Sequence, residues 1–377
     1  MMEAIASWLK RAEALTAKSS VQATVFRAIL FGNKSLDVDD WLITFEPHGP
    51  IQSTPHSLGT ESLSLLRLLD EARQEINLHE RHRLGADLAA AISLALDRRV
   101  VIPNDLAISV PGSQQILFQP VAHIVDPSIL GPVPIDAKER ISTVFSAIHG
   151  LPQKDLITIG AATSAHHSAL LLFDKEPRVA YTLLVAGIET LSRRYGSPPT
   201  AWEDWNDSGT WSQLLDSLGL ESGQISSIRE KLMKDRQLRL GATFQQYAAT
   251  RPPEAFWRRS VDAWIPGIDG NTGQWLSSVK SSTHRVSDFV PIDKSQLRKA
   301  LAKSYALRSS VVHEAEWVEM LAMAGPIGSA PTGNKPLSFP ALRLLLGELI
   351  RLELSSQSSS AELPDVRLSR KQPPGAA

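Results

Sequence analysis

Between residues 174 and 195 the chain spells out a helix that is apolar almost all the way round. Val179, Leu183, Leu184, Val185, Ala186, Ile188 and Leu191 cover most of its circumference. A helix of that kind has no face to give to water and must be enclosed by other elements. Its ends are marked in the sequence. Asp174 is a candidate N-cap, Pro177 falls in the first turn, and Gly196-Ser-Pro-Pro199 stops it.

From about residue 160 onward the pattern stays helical around this central element. A second helix is expected over 224–247, ending before Arg251-Pro-Pro253. An irregular insertion over 251–292 follows, carrying Trp257, Trp264, Trp275, Gly267, Gly270 and Gly273. A third helix begins at Asp293, where Asp-Lys-Ser-Gln296 fits a cap with glutamine at the third helical position. A final helix covers 341–354, and the polar tail over 356–377 reads as disordered.

The first 150 or so residues differ. Helical periodicity appears over 1–18, in the leucines of 63–76, and most clearly over 83–97 (Leu84, Leu88, Ala91, Ile92, Ala95). Short runs of strand character lie at 41–45, 107–110 and 115–119, and the proline-bearing stretch 127–134 reads as a connector. The fold class expected is therefore α+β: a mixed α/β region over 1–150, in a recognition or regulatory role, then an all-α helical bundle over 160–355. No internal repeat is present.

Composition narrows the function classes. The chain has 43% apolar and 21% charged residues, ordinary for a globular protein, and no apolar run of about 18 residues. Residues 1–15 are amphipathic, with Lys10 and Arg11 where a signal peptide would need an apolar stretch. No cysteine is present, which excludes disulfides and thiolate metal sites and fits a cytoplasmic location. The net charge of −1 hides an asymmetry. Residues 223–313 hold fifteen Lys and Arg against seven Asp and Glu, so this segment is strongly positive and the rest negative. Local positive charge points towards a polyanion such as RNA, with Arg298, Lys299 and Lys303 as candidate contacts. The plainer alternative is that the basic run over 229–239 is a solvated helix face.

The stretch that bears chemistry is Tyr305-Ala-Leu-Arg-Ser-Ser-Val-Val-His313-Glu314. Five residues on an ideal helix turn through about 140°, so Arg308 and His313 would not share a face. For both to meet one substrate the helix must end near Arg308, and the Ser-Ser-Val-Val that follows is a poor helix former. Tyr-x-x-Arg-Ser-x-x-Val-His before a final helix resembles the R-x4-H signature of HEPN domains, in particular the Apea-like branch. The helix containing Ala180-Tyr-Thr-Leu-Leu-Val-Ala-Gly-Ile-Glu189, preceded by His167-Ser-Ala-Leu, is similar to that branch as well. The resemblance spans about 161–354, with 251–291 as an insertion, and does not extend to the N-terminal region.

What the resemblance implies is a HEPN-like bundle acting as a metal-independent endoribonuclease without a cofactor, cutting RNA such as tRNA or mRNA. It also implies a homodimer, a role as a bacterial defence or toxin effector, and room for a regulatory protein partner. The chemistry suits the residues. Cleavage by the RNA's own 2′-hydroxyl needs proton transfer, which an imidazole near neutrality supplies, so His313 is assigned general acid/base. It also needs charge stabilisation on the phosphate, which assigns Arg308 as a clamp. One histidine cannot readily be base and acid at once, and two motifs paired across a dimer would resolve this. Where catalytic HEPN motifs commonly carry Asn, Asp or His, this chain has Ser309. That feature favours the rival reading, a non-catalytic HEPN module binding RNA or a partner protein.

Several residues have two readings. Glu189 either orients Arg308 or His313 as a buried carboxylate or forms a structural ion pair, and the second is favoured. Tyr305, one turn before Arg308, is expected to pack beside the motif. Adjacent histidines at 166 and 167 point about 100° apart, so a polar or capping role is favoured over a metal site. Six of the nine tryptophans lie between Trp202 and Trp275. They are read as holding irregular structure together rather than stacking bases beside Arg258 and Arg259. No P-loop, dinucleotide fingerprint, H-E-x-x-H motif or nucleophile elbow is present.

Overall fold

The computed structural model describes residues 2–15, 21–31, 38–39, 43–50, 61–71, 78–102, 126–130, 134–173, 176–205, 208–235, 239–268, 275–313 and 335–358. The architecture is α+β, a helical assembly with two antiparallel sheets. Helix α1 (Glu3–Leu15) is followed by strands β1 (Val21–Phe31), β2 (Val38–Asp39), β3 (Ile43–Pro50) and β4 (Glu61–Glu71). Helix α2 (Leu78–Leu96) and strand β5 (Val100–Val101) come next. The sheet order is β2-β3-β4-β1-β5, with every neighbouring pair antiparallel.

The leucine run expected to be helical is strand β4. It pairs with β1 without interruption from Val21↔Glu71 to Phe31↔Glu61, and with β3 on its other edge. Glu61-Ser-Leu-Ser-Leu alternates with period two as well as it fits period three, and the two long partner strands decide the outcome. Strand β1 itself went unrecognised in the sequence. Of the expected strands, 41–45 falls partly in β3, whereas 107–110 and 115–119 lie outside the described residues, as does Asp174.

The helical body contains α3 (Ala137–His149), α4 (Gln153–Leu172) and α5 (Pro177–Tyr195), the all-round apolar helix. Ala180, Tyr181, Leu184, Val185, Ile188 and Leu191 of α5 are buried, with Pro177 at its first turn. Val179 is exposed, so the apolar collar of α5 is open near its start. Helices α4 and α5 pack together, and the last helix, α11 (Phe339–Ser358), lies against both. At the α5–α11 contact a β-carbon on Gly187 would come within 2.7 Å of Leu346, so the missing side chain sets the approach of the two helices. Helix α2 packs on α3 and α4, and one continuous apolar core runs from Met2 to Leu354 across residue 150.

The expected helix over 224–247 is two helices, α7 (Ser222–Lys234) and α8 (Leu240–Thr250), after the short α6 (Ser208–Ser217). The chain leaves helical geometry at Asp235, and buried Arg239 donates to the Pro199 carbonyl at 2.6 Å. No residue of α7 is buried, so its basic residues lie on a solvated element. The insertion is regular rather than irregular. It holds α9 (Glu254–Arg258) and the hairpin β6 (Ser260–Ile268) with β7 (Trp275–Arg285), paired from Ser260↔Arg285 to Ile268↔Trp275 with two register shifts.

Helix α10 (Lys294–His313) starts where the cap was read: the Gln296 backbone N–H donates to Asp293 Oδ1 at 2.8 Å. The last helix is longer than expected and runs to Ser358, so the first residues of the expected tail are helical. The remainder of the tail lies outside the described residues. Among the described residues no helix is long and apolar enough to cross a membrane.

Candidate functional site

Helix α10 packs on α8 and α5, and this brings part of the motif to Glu189. Glu189 is on the buried side of α5, its side chain only 8% exposed. Its Oε2 lies 3.8 Å from Arg308 Nη2, and its Oε1 accepts from Arg193 Nη2 at 2.5 Å one helical turn on. Tyr305 completes the group. Its ring meets Phe244 of α8 at 5.2 Å, and the Glu189 charge acts on its hydroxyl. Burial, then the Glu189 charge, push the Tyr305 hydroxyl above its usual range against the opposing pull of Arg308 and Arg193. The hydroxyl therefore keeps its proton.

Arg308 is about one quarter exposed, and its Nε is buried with no hydrogen-bond partner among the described residues. One edge of the guanidinium faces a carboxylate while another N–H is unspent. Such a group is held in place, and the guanidinium is always charged, so its exposed part can meet an anion.

Helix α10 does not end at Arg308. It continues to His313, through the poor helix formers Ser309, Ser310, Val311 and Val312. Ser310 Oγ bonds the Ala306 carbonyl within the helix. Residue 313 therefore lies about 140° round the axis from Arg308 and about 7.5 Å along it, and the two positions do not share a face. The described side chains stop short of His313, so its contacts lie outside the described residues. Ser309 is half-buried beside Arg308.

Arg298, Lys299 and Lys303 are exposed on α10. By helical spacing, Lys299 is on the face opposite Arg308, Lys303 is about 140° round and Arg298 about 80°. The fold therefore gathers Glu189, Tyr305, Arg308 and Arg193, and spreads the three basic candidates around the helix. Arg193 was not singled out in the sequence, although an arginine four residues after a helical glutamate is a readable signal.

The other candidates resolve into structural roles. His167 bonds the Val100 carbonyl of β5 at 2.8 Å. Trp202, Trp205 and Trp211 pack on one another, with Arg229 over the Trp202 ring at 5.1 Å. Trp257 is buried against Phe256, Arg258 pairs with Glu254, and Arg259 pairs with Glu348 at 3.0 Å.

A second polar cluster escaped the sequence reading. Arg343 of α11 is 1% exposed and donates to Asp126 Oδ2 at 2.5 Å, Asp97 Oδ1 at 2.5 Å and Ser128 Oγ at 2.6 Å. Asp97 follows α2 in a left-handed conformation, φ 56°, which aspartate tolerates better than most residues. The readable signal was an arginine in the otherwise apolar run Phe339-Pro-Ala-Leu-Arg-Leu-Leu-Leu346, where a charge requires buried partners.

Among the described residues no three His, Asp or Glu side chains are grouped to hold a metal ion. No protein-family model, curated protein or solved structure matches the chain.

Proposed function

We propose that the chain is a HEPN-type, metal-independent endoribonuclease that works as a cytoplasmic homodimer. The observation that carries this reading is the Glu189–Tyr305–Arg308 group. It is a partly exposed guanidinium held by a buried carboxylate, five residues before a histidine in the motif the sequence resembles. Arg308 is the phosphate clamp and His313 the proton-transfer group. In the reaction the 2′-oxygen bonds to phosphorus, the P–O5′ bond breaks, and a 2′,3′-cyclic phosphate and a 5′-hydroxyl are left.

The unbroken α10 adds a requirement to this mechanism. Positions 308 and 313 of one protomer face about 140° apart, so a clamp and a proton-transfer group on one phosphate come from two copies of the chain. A defence or toxin role, and a regulatory partner at the N-terminal region, extend the reading by family analogy.

The same helix geometry favours one second reading, a non-catalytic module in which Arg308 is kept for its pairing with Glu189. The two are separated by incubating the protein with a pool of tRNA, rRNA and mRNA without divalent metal, beside Arg308→Ala and His313→Ala. Cleavage by the wild type alone, leaving cyclic phosphate ends, is expected. Absence of cleavage, or cleavage undiminished in both variants, refutes the nuclease reading.

A further inference from the structure

Two guanidinium groups flank the Glu189 carboxylate and share it unequally. The carboxylate side chain is 8% exposed, so it has lost most of its water and needs a cation. Arg193 supplies one from the same helix. Its Nη2 donates to Glu189 Oε1 at 2.5 Å, at the four-residue spacing that sets two side chains on one helical face. Arg308 comes from α10 and stands further off. Its Nη2 is 3.8 Å from Glu189 Oε2, within ion-pair range and beyond hydrogen-bond range.

Both cations reach solvent, Arg193 with 54% of its side chain exposed and Arg308 with 28%. Against a single carboxylate they leave positive charge in excess, and the short contact assigns the offset to Arg193. Arg308 therefore keeps its charge, and its N–H groups are not spent on Glu189. Beyond burial, the Tyr305 hydroxyl is acted on by Glu189 and, in the opposite sense, by Arg308 and Arg193, so these charges surround one point. Arg194 belongs elsewhere. It lies about 100° round the helix from Arg193 and pairs with Asp155 at 3.3 Å.

Without Arg193 the balance would change. A buried carboxylate stripped of its partner keeps its desolvation penalty, and Arg308 is the cation left beside it. Closing the gap would make the pair a hydrogen-bonded fork, with the donors of Arg308 turned inward and its charge offset. We propose that Arg193 is a positioning residue for RNA binding, taking the Glu189 carboxylate so that Arg308 stays free to hold an RNA phosphate. Arg193 acts through Glu189 and does not itself touch the phosphate. This role rests on the reading of Arg308 as a phosphate contact and needs no cleavage.

The test is fluorescence-anisotropy titration of a labelled 2′-O-methyl oligouridylate, which lacks the attacking hydroxyl, so binding is read apart from cleavage. The proteins are wild type, Arg308→Ala, Arg193→Ala, Arg193→Lys, Arg194→Ala and the double variant Glu189→Gln with Arg193→Ala, at one low salt concentration. Arg308→Ala is expected to weaken binding by about tenfold, and Arg193→Ala by roughly threefold to tenfold although Arg308 is still present. The double variant removes the charge that would capture Arg308, so binding is expected to return to within about twofold of wild type. Arg193→Lys keeps a cation on Glu189, and Arg194→Ala removes equal charge from the same helix without touching Glu189; both are expected within about twofold of wild type. Should Arg193→Ala fold poorly, the double variant still decides, because it strands no buried carboxylate. A double variant as weak as Arg308→Ala would make Arg193 a direct contact, and an equal loss in Arg194→Ala would reduce the effect to bulk charge. Either result overturns the proposal, as does an Arg193→Ala that binds like wild type while Arg308→Ala is weak. If wild type does not bind, or Arg308→Ala binds as well as wild type, the phosphate reading of Arg308 falls and the role of Arg193 with it.

Discussion

Arg343→Met removes a cation that hydrogen-bonds both Asp126 and Asp97. Methionine matches the arginine stem in length, so the apolar contacts of α11 are largely kept and the change is chiefly electrostatic. Asp126 is fully buried and keeps the Ser128 backbone N–H at 3.2 Å and the Ser128 hydroxyl at 2.6 Å. Asp97 keeps Arg351 at 4.0 Å. Stripping one partner from a buried ion group typically costs about 3–5 kcal/mol, because the stranded charge keeps its desolvation penalty. That range is expected here from urea unfolding followed by linear extrapolation. Arg343→Met combined with Asp126→Asn is expected to recover roughly 1–3 kcal/mol as coupling energy.

The pH dependence carries a definite sign. Burial raises the Asp97 carboxyl, but the charge of Arg343 and then that of Arg351 outweigh it, holding the group well below the usual carboxylate range. A folded-state value lowered in this way contributes stability above the unfolded value of about 4 and loses it only as pH falls towards the folded value. Wild type therefore keeps the contribution at about pH 4, whereas in the variant the stranded Asp97 carboxyl can escape its penalty by taking up a proton. The deficit of Arg343→Met is expected to shrink between about pH 7 and about pH 4. A loss below about 1 kcal/mol at neutral pH, or a deficit that widens in acid, would refute the account of Arg343 as the buried counterion.

The His166 ring, pushed down to about 3, binds fewer protons in the folded chain than in the unfolded one between that value and about 6.5, so stability is lost as pH falls through this window. His166→Phe is expected to flatten that part of a stability-against-pH curve measured by chemical unfolding, and an unchanged slope would contradict it. Asp293→Ala deletes the cap on the Gln296 N–H and is expected to cost about 1 kcal/mol in thermal or urea unfolding, with Asp293→Asn close to neutral.

Much of the helical part was legible because its signals are local. The all-round apolar run at 179–191 announced a covered helix, and Asp-Lys-Ser-Gln296 announced a start that the Asp293 side chain caps. Glu189 was readable as a buried carboxylate in need of a cation, since three-residue and four-residue spacing fixes which side chains share a helical face. Even here the local evidence was uneven. A continuous helix was expected over 224–247, where the chain leaves helical geometry at Asp235, and a break was expected near Arg308, where none occurs.

The chain's own order of residues settled helix periods, caps and the position of an arginine among leucines, all of which depend on neighbours within a turn or two. Tertiary structure decided what depends on a distant partner. Glu61–Glu71 is a strand because β1 and β3 lie on either side of it, and the Trp-bearing insertion is a hairpin because its two arms pair. Arg343 is tolerable in an apolar helix because residues more than two hundred positions earlier supply its counterions. Side-chain period is a property of one segment, whereas strand pairing and charge neutralisation in a core are properties of two, and only the folded chain brings the second one near.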